Sequence, residues 1–138
     1  MTTQAAPRPR STRRLTLALA LLLGGASAAW SMDPAGYVAL EIAAREATVR
    51  QLEARLRRLQ AGTTLERELA AADADQREVA RLFERAGTTP GRHAAWATAH
   101  RAELEAWLAA HPEPARRLEA LAARIRELAQ RIDAHGRP

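Results

Sequence analysis

The stretch that decides the fold is Thr89-Pro90-Gly91-Arg92-His93-Ala94-Ala95-Trp96-Ala97-Thr98-Ala99-His100-Arg101-Ala102-Glu103-Leu104-Glu105-Ala106-Trp107-Leu108-Ala109-Ala110-His111-Pro112-Glu113-Pro114. A threonine that can cap, followed by proline at the first helical position, opens a helix. His111-Pro112 closes it, because proline disfavours helical geometry in the residue before it. The punctuation therefore predicts one helix over 90–110. Its length, about 30 Å at ~1.5 Å per residue, would carry the chain from one end of the molecule to the other.

Working outward, the same signals recur. Asp33-Pro34 caps and opens a helix over 34–60. Gly62 supplies the left-handed closing residue, and Thr63 with Glu66 reads as a capping box for a helix over 64–85. The wording Ala61-Gly62-Thr63-Thr64 returns as Ala86-Gly87-Thr88-Thr89. Two copies with unlike flanking helices make shared turn chemistry and no solenoid register. A last helix runs over 113–134, with residues 136–138 as a tail. Loops of about three residues between long helices predict antiparallel neighbours. The fold class expected is all-α, with serial antiparallel helical hairpins closing into a four-helix bundle with coiled-coil-like packing.

Apolar spacing supports the helices. Val38, Ile42, Val49, Leu52, Leu56 and Leu59 alternate by three and four in the first. Leu118, Leu121, Ile125, Leu128 and Ile132 do so in the last. The second carries a weaker stripe of Leu65, Leu69, Ala72, Val79 and Phe83, interrupted by Gln76, so it depends most on its neighbours. The first helix, about 40 Å long, exceeds the others, and its end is expected to protrude. Glu41–Arg45, Glu46–Arg50, Glu53–Arg57, Asp73–Arg77, Glu113–Arg117 and Glu127–Arg131 are acid-then-base pairs four apart, each contributing ~0.2–0.5 kcal/mol to helicity.

Residues 1–28 read as a secretion signal. Arg8, Arg10, Arg13 and Arg14 form a basic start, Leu15 to Leu23 an apolar run, and Ala26-Ser27-Ala28 the small residues that a signal peptidase reads. The run is shorter than the ~20 residues that span a bilayer, which favours cleavage over a retained signal anchor. Thr12-Arg13-Arg14-Leu15-Thr16-Leu17 resembles a twin-arginine signal, but threonine stands where a bulky apolar residue is usual, so the general secretory machinery is the expected route. Residues 29–33 form a short N-terminal lead into the helical domain, 34–135. The expected destination is the periplasm or the exterior, with inner-membrane anchoring as the alternative.

The leader also explains the charge. The chain has 21 basic residues, all arginine, against 16 acids, and its isoelectric point is near 11.2. All sixteen acids lie beyond the leader with seventeen arginines, a balance of +1. No basic stripe for nucleic acid is expected. Zero cysteines remove disulfides, thiol nucleophiles, thiolate metal sites and lipidation at a lipobox.

The best site candidate is the 90–110 helix, where His93, Trp96, His100, Leu104, Trp107 and His111 recur at three-four spacing. Trp96 and Trp107, flanked by His93, His100 and Leu104, suggest an interaction surface. His93, His100 and His111 suggest a metal patch, although His93 and His100 are ~10 Å apart along the axis, too far to share one ion. No histidine follows a glutamate by three, and no His-Glu-x-x-His or glycine-rich phosphate loop occurs. Beyond the leader the one serine is Ser31. An enzyme is not expected, and no cofactor is called for.

In outline the chain resembles small envelope helical-hairpin chaperones and metal-stress sensors. Their Leu-Thr-x-x-Gln motifs are missing from the mature chain, so no residue role is carried over. The expectation is an exported envelope binding, scaffold or chaperone-like protein that contacts a protein partner or a second copy. The alternatives are an amphipathic binder of membrane surfaces and a metal-responsive envelope sensor using the histidines.

Overall fold

The computed structural model describes residues 32–135, and these are all-helical. The expected leader, with Ala26 and Ala28, and the tail at 136–138 lie outside the described residues. Five helices follow one another: α1 (Pro34–Gln60), α2 (Leu65–Arg85), α3 (Pro90–Ala99), α4 (Arg101–Ala110) and α5 (Pro112–His135). None of them is long and apolar enough to cross a membrane.

The helix ends follow local chemistry. Asp33 caps α1 by accepting from the Gly36 N–H at 2.7 Å. Gly62 and Gly87 adopt φ of 76° and 72°, the left-handed geometry that turns the chain after α1 and α2. Thr89 caps α3 through the Arg92 N–H, with Pro90 at the first helical position. The capping box expected from Thr63 and Glu66 is replaced by a single cap: Thr64 accepts from the Arg67 N–H.

The main correction concerns the helix expected over 90–110. It divides at His100, whose backbone (φ −116°, ψ 28°) has left the helical region, into two ten-residue pieces. The His100 backbone N–H and its ring Nδ1 both approach the Trp96 carbonyl oxygen, at 2.9 and 3.0 Å. A side chain that competes for the carbonyl four residues back unsettles the turn it belongs to. Each piece is only ~15 Å long, so neither spans the molecule.

The topology changes as a result. Arg58 and Arg50 of α1 pair with Glu68 and Glu78 of α2, so rising numbers on one helix meet falling numbers on the other and the two are antiparallel. On the other side of α1, Glu46 meets Arg117, Glu53 meets Arg124 and the Leu59 carbonyl meets His135, so α1 and α5 run parallel. Instead of a four-helix up-and-down bundle, three long helices lie side by side with α1 in the middle, and α3 and α4 return the chain to the end where α1 began. The end of α1, expected to protrude, is matched by α5, with His135 Nε2 3.1 Å from the Leu59 carbonyl.

The seams expected on α1 and α5 do meet. Leu56, Leu128 and Ile132 form the core cluster, with Val49, Leu52 and Leu59 packed on it. The charge pairs are redirected by this packing. Glu41–Arg45, Asp73–Arg77 and Glu127–Arg131 form within their helices as expected. Glu46, Arg50 and Glu53 instead bridge to Arg117, Glu78 and Arg124 on neighbouring helices, and Glu113 pairs with Arg116.

Candidate functional site

The helix predicted to carry the site is bent over the first turns of α1. His93 is 3% exposed. Its ring stacks on Tyr37 at 4.0 Å and meets the edge of Phe83 at 5.3 Å. His93 Nε2 lies 3.3 Å from the Tyr37 carbonyl oxygen, and Nδ1 lies 3.7 Å from Glu41, which also holds Arg45. Arg45 in turn donates to the Leu118 carbonyl of α5. One buried imidazole thus ties α3 to α1 and α2, and through Glu41 and Arg45 to α5. Burial, and then the neighbouring Glu41 carboxylate, push the Tyr37 phenol above its ordinary value.

Trp96 and His100 continue this stack: Trp96 lies 5.3 Å from Tyr37, and His100 lies 4.4 Å from Trp96 with the rings 12° apart. Trp107 and His111 form a second stack, 4.0 Å apart with the rings at 13°. The two stacks use one device. In each, a histidine four residues after a tryptophan ends its helix, lays its ring on the indole, and brings Nδ1 to the tryptophan carbonyl, at 3.0 Å for His100 and 2.7 Å for His111. Trp-x-x-x-His occurs twice, with the repeats eleven residues apart. Three-four periodicity reads the same residues as one continuous face, because the break at His100 leaves the spacing unchanged.

Of the residues expected on an interaction surface, Trp96, His100, Leu104 and Trp107 are half-buried, and His93 supports the surface from beneath. The break at His100 divides them between two helices. His93, His100 and His111 do not converge: each has a ring nitrogen at a backbone carbonyl. Among the described residues, no three His, Asp or Glu side chains are grouped to hold a metal ion.

Sequence periodicity undervalued a different surface. The α2 stripe is covered at one end and open at the other: Phe83 is 5% exposed beneath His93, Val79 is half-buried, and Leu69 and Leu65 are 63% and 76% exposed. What faces α1 in the first half of α2 is polar. Glu68 takes Arg58 at 2.7 Å and Arg55 at 3.5 Å, and Gln51 donates to the Asp75 carbonyl. The arginine hydrogen bond, above all, holds the Glu68 carboxyl below its ordinary value. Leu65 and Leu69 consequently sit beside a groove of about 410 Å³ between α1 and α2, with Leu52, Thr48 and Ala72 along it.

At ~100° per residue, the direction of this groove on α1 and α2 corresponds on α5 to Leu118, Ala122, Ile125 and Ala129, all half-buried. The reverse side carries Arg50, Arg57, Arg67, Arg81 and Arg131, all exposed. The three long helices therefore form a layer with one apolar face and one charged face. Over one end of the apolar face, α3 and α4 make a short second layer. Such a surface can hold apolar chain.

No protein-family model, curated protein or solved structure matches the chain.

Proposed function

We propose that this chain is an exported, non-catalytic helical binding or scaffold protein of the bacterial envelope, chaperone-like in holding apolar surface of a protein partner. The observation that carries the reading is the open end of the apolar face, where Leu65 and Leu69 stay 76% and 63% exposed beside an unfilled groove. A helix layer ordinarily buries its apolar side against a second layer, and α3–α4 supply only part of one. Contiguous exposed apolar surface rimmed by charge marks an interaction site in a folded protein. The contact surface moves accordingly from the tryptophan helix to the α1–α2 groove.

Aggregation of a chemically unfolded model client tests this. Wild-type chain should suppress light scattering at near-equimolar ratio, and Leu65→Glu/Leu69→Glu should lose most of that suppression while keeping the helical circular dichroism. No suppression by wild type, or equal suppression by the variant, overturns the reading. Export is tested separately by mass spectrometry of the envelope fraction, with an N-terminus following Ala28 expected. Flotation of the chain with anionic vesicles, abolished by the same two substitutions, would instead favour a membrane-surface role.

A further inference from the structure

We infer that the charged side of the helix layer, the one turned away from the apolar face, docks on an anionic lipid surface through Arg57, Arg67, Arg81 and Arg85. This contact is separate from the apolar groove and leaves the groove open.

The first observation is how charge is used on that side. The acids set among the arginines, Glu46, Glu53, Glu78 and Glu127, are each held by an arginine. Arg57, Arg67, Arg81 and Arg85 are left over: all four are exposed, and none makes a side-chain ion pair or hydrogen bond among the described residues. Arg85 acts on Glu78 only through space, since the Glu78 oxygens are taken by Arg50 and Gln51.

The second is their grouping. At ~100° per residue, Arg67, Arg81 and Arg85 fall within about 40° of one another around α2. The Arg58–Glu68 pair fixes the register that brings Arg57 of α1 to within about a turn of Arg67. The acids of α2 that hold no arginine point elsewhere. Asp75 lines the groove, and Glu66 and Glu84 lie about 60–100° around the helix from the three arginines.

The third is shape. α3 and α4 lie over the opposite side, so this side of the three-helix layer stays flat and uncovered. Arg67 and Arg85 are about 27 Å apart along α2, and between them this side carries Ala71, Ala74 and Glu78. No large apolar side chain stands there to enter the hydrocarbon, so the contact is with headgroups alone. Four cations spread over a flat face meet a plane of many anions, whereas a nucleic-acid strand asks for cations set closely along its backbone. Each arginine at an anionic bilayer surface strengthens binding by roughly fivefold, so four together amount to several hundredfold, a gain that salt removes.

The absence of native cysteine lets one label report orientation. Ala74 lies midway between Arg67 and Arg81 on their side of α2, and Ala72 lies on the apolar side; both are exposed. A fluorophore on Ala74→Cys in the full chain should lose at least half of its acrylamide quenching when phosphatidylglycerol vesicles are added. The same fluorophore on Ala72→Cys should stay as accessible as before, and phosphatidylcholine vesicles should protect neither. Protection at position 74 should vanish in 0.5 M salt and in Arg57→Gln/Arg67→Gln/Arg81→Gln/Arg85→Gln, whose helical circular dichroism should match wild type because glutamine is nearly as good a helix former as arginine. It should survive Leu65→Glu/Leu69→Glu, which separates this contact from client binding by the apolar face. Unchanged quenching at position 74, protection at position 72 instead, or protection that persists in the four-glutamine variant overturns the proposal. Equal or stronger protection of position 74 by duplex DNA also overturns it, in favour of a nucleic-acid partner.

Discussion

At the scale of single residues, the molecule turns on aromatic stacking at the crossing of α3 over α1. His93 contributes through contact on every side: Tyr37 on its face, Phe83 at its edge, and a backbone carbonyl at Nε2. Offset or edge-on aromatic pairs contribute ~0.5–1.5 kcal/mol beyond the area they bury. Tyr37 is the chain's one tyrosine, so its absorbance titration reports a single group. Burial and Glu41 favour the neutral phenol, and the titration midpoint should lie above 10.0. The sign follows by linkage: a raised folded value stabilises the fold below the ordinary value, and that contribution is lost as pH rises through the folded value. His93→Ala uncovers the ring, and the midpoint should fall back toward 10.0; a midpoint unmoved by the substitution would mean that the imidazole is not what buries the phenol.

At the scale of the element, α2 differs from its neighbours in how it is held. α5 lies on α1 through leucine and isoleucine, whereas α2 is held along much of its length by Arg58–Glu68 and by Arg50 and Gln51 on Glu78. Both carboxyls are held below the ordinary value of 4.5, Glu68 chiefly by its hydrogen bond from Arg58 and Glu78 chiefly by that from Arg50. Depressed carboxylates stabilise the folded state above the ordinary value, and the contribution disappears as pH falls through the folded value. Amide exchange in α2 should therefore accelerate below about pH 4.5, before exchange in α1 and α5 does. Glu68→Gln/Glu78→Gln should show the faster α2 exchange already at neutral pH and flatten its dependence on acid. Salt should weaken the wild-type attachment, because Glu78 is half exposed and screened. Uniform exchange across all three long helices at every pH would contradict this account.

At the scale of the whole molecule, burial is uneven. Leu128 is 1% exposed at the centre of the α1–α5 seam, while Leu65 on α2 keeps most of its surface in solvent. Leu128→Ala should cost ~2–5 kcal/mol in denaturant unfolding, the usual range for a leucine removed from a packed core. Leu65→Ala should change the stability of the chain by less than ~0.5 kcal/mol, as surface changes do. Comparable losses at the two positions would show that the α2 stripe is buried after all. A one-and-a-half-layer fold of this kind has a thin core, and whatever covers the open face adds to its stability by mass action.

Much of this architecture was legible in the chain. Asp33-Pro34, Gly62, Gly87 and Thr89-Pro90 marked helix boundaries because caps, left-handed turns and proline at the first position are local chemistry, decided within four or five residues. The seams on α1 and α5 were legible because leucine at three-four spacing has only one face to bury. The candidate site was legible only in part. Periodicity found Trp96 and Trp107 but placed them on one helix, since nothing in a count of spacings shows that His100 takes a carbonyl from its own helix. That one break shortened the third element, and with it decided that α5 lies parallel to α1. The partner of each charge was likewise settled in three dimensions: Glu46 and Glu53 had arginines four residues away and chose others across the seam. The sequence by itself determined where helices begin, end and carry apolar surface, because those choices are local. Only the tertiary structure decided which apolar surface is covered, because Phe83 and Leu65 lie on one stripe and differ solely in whether α3 reaches over them.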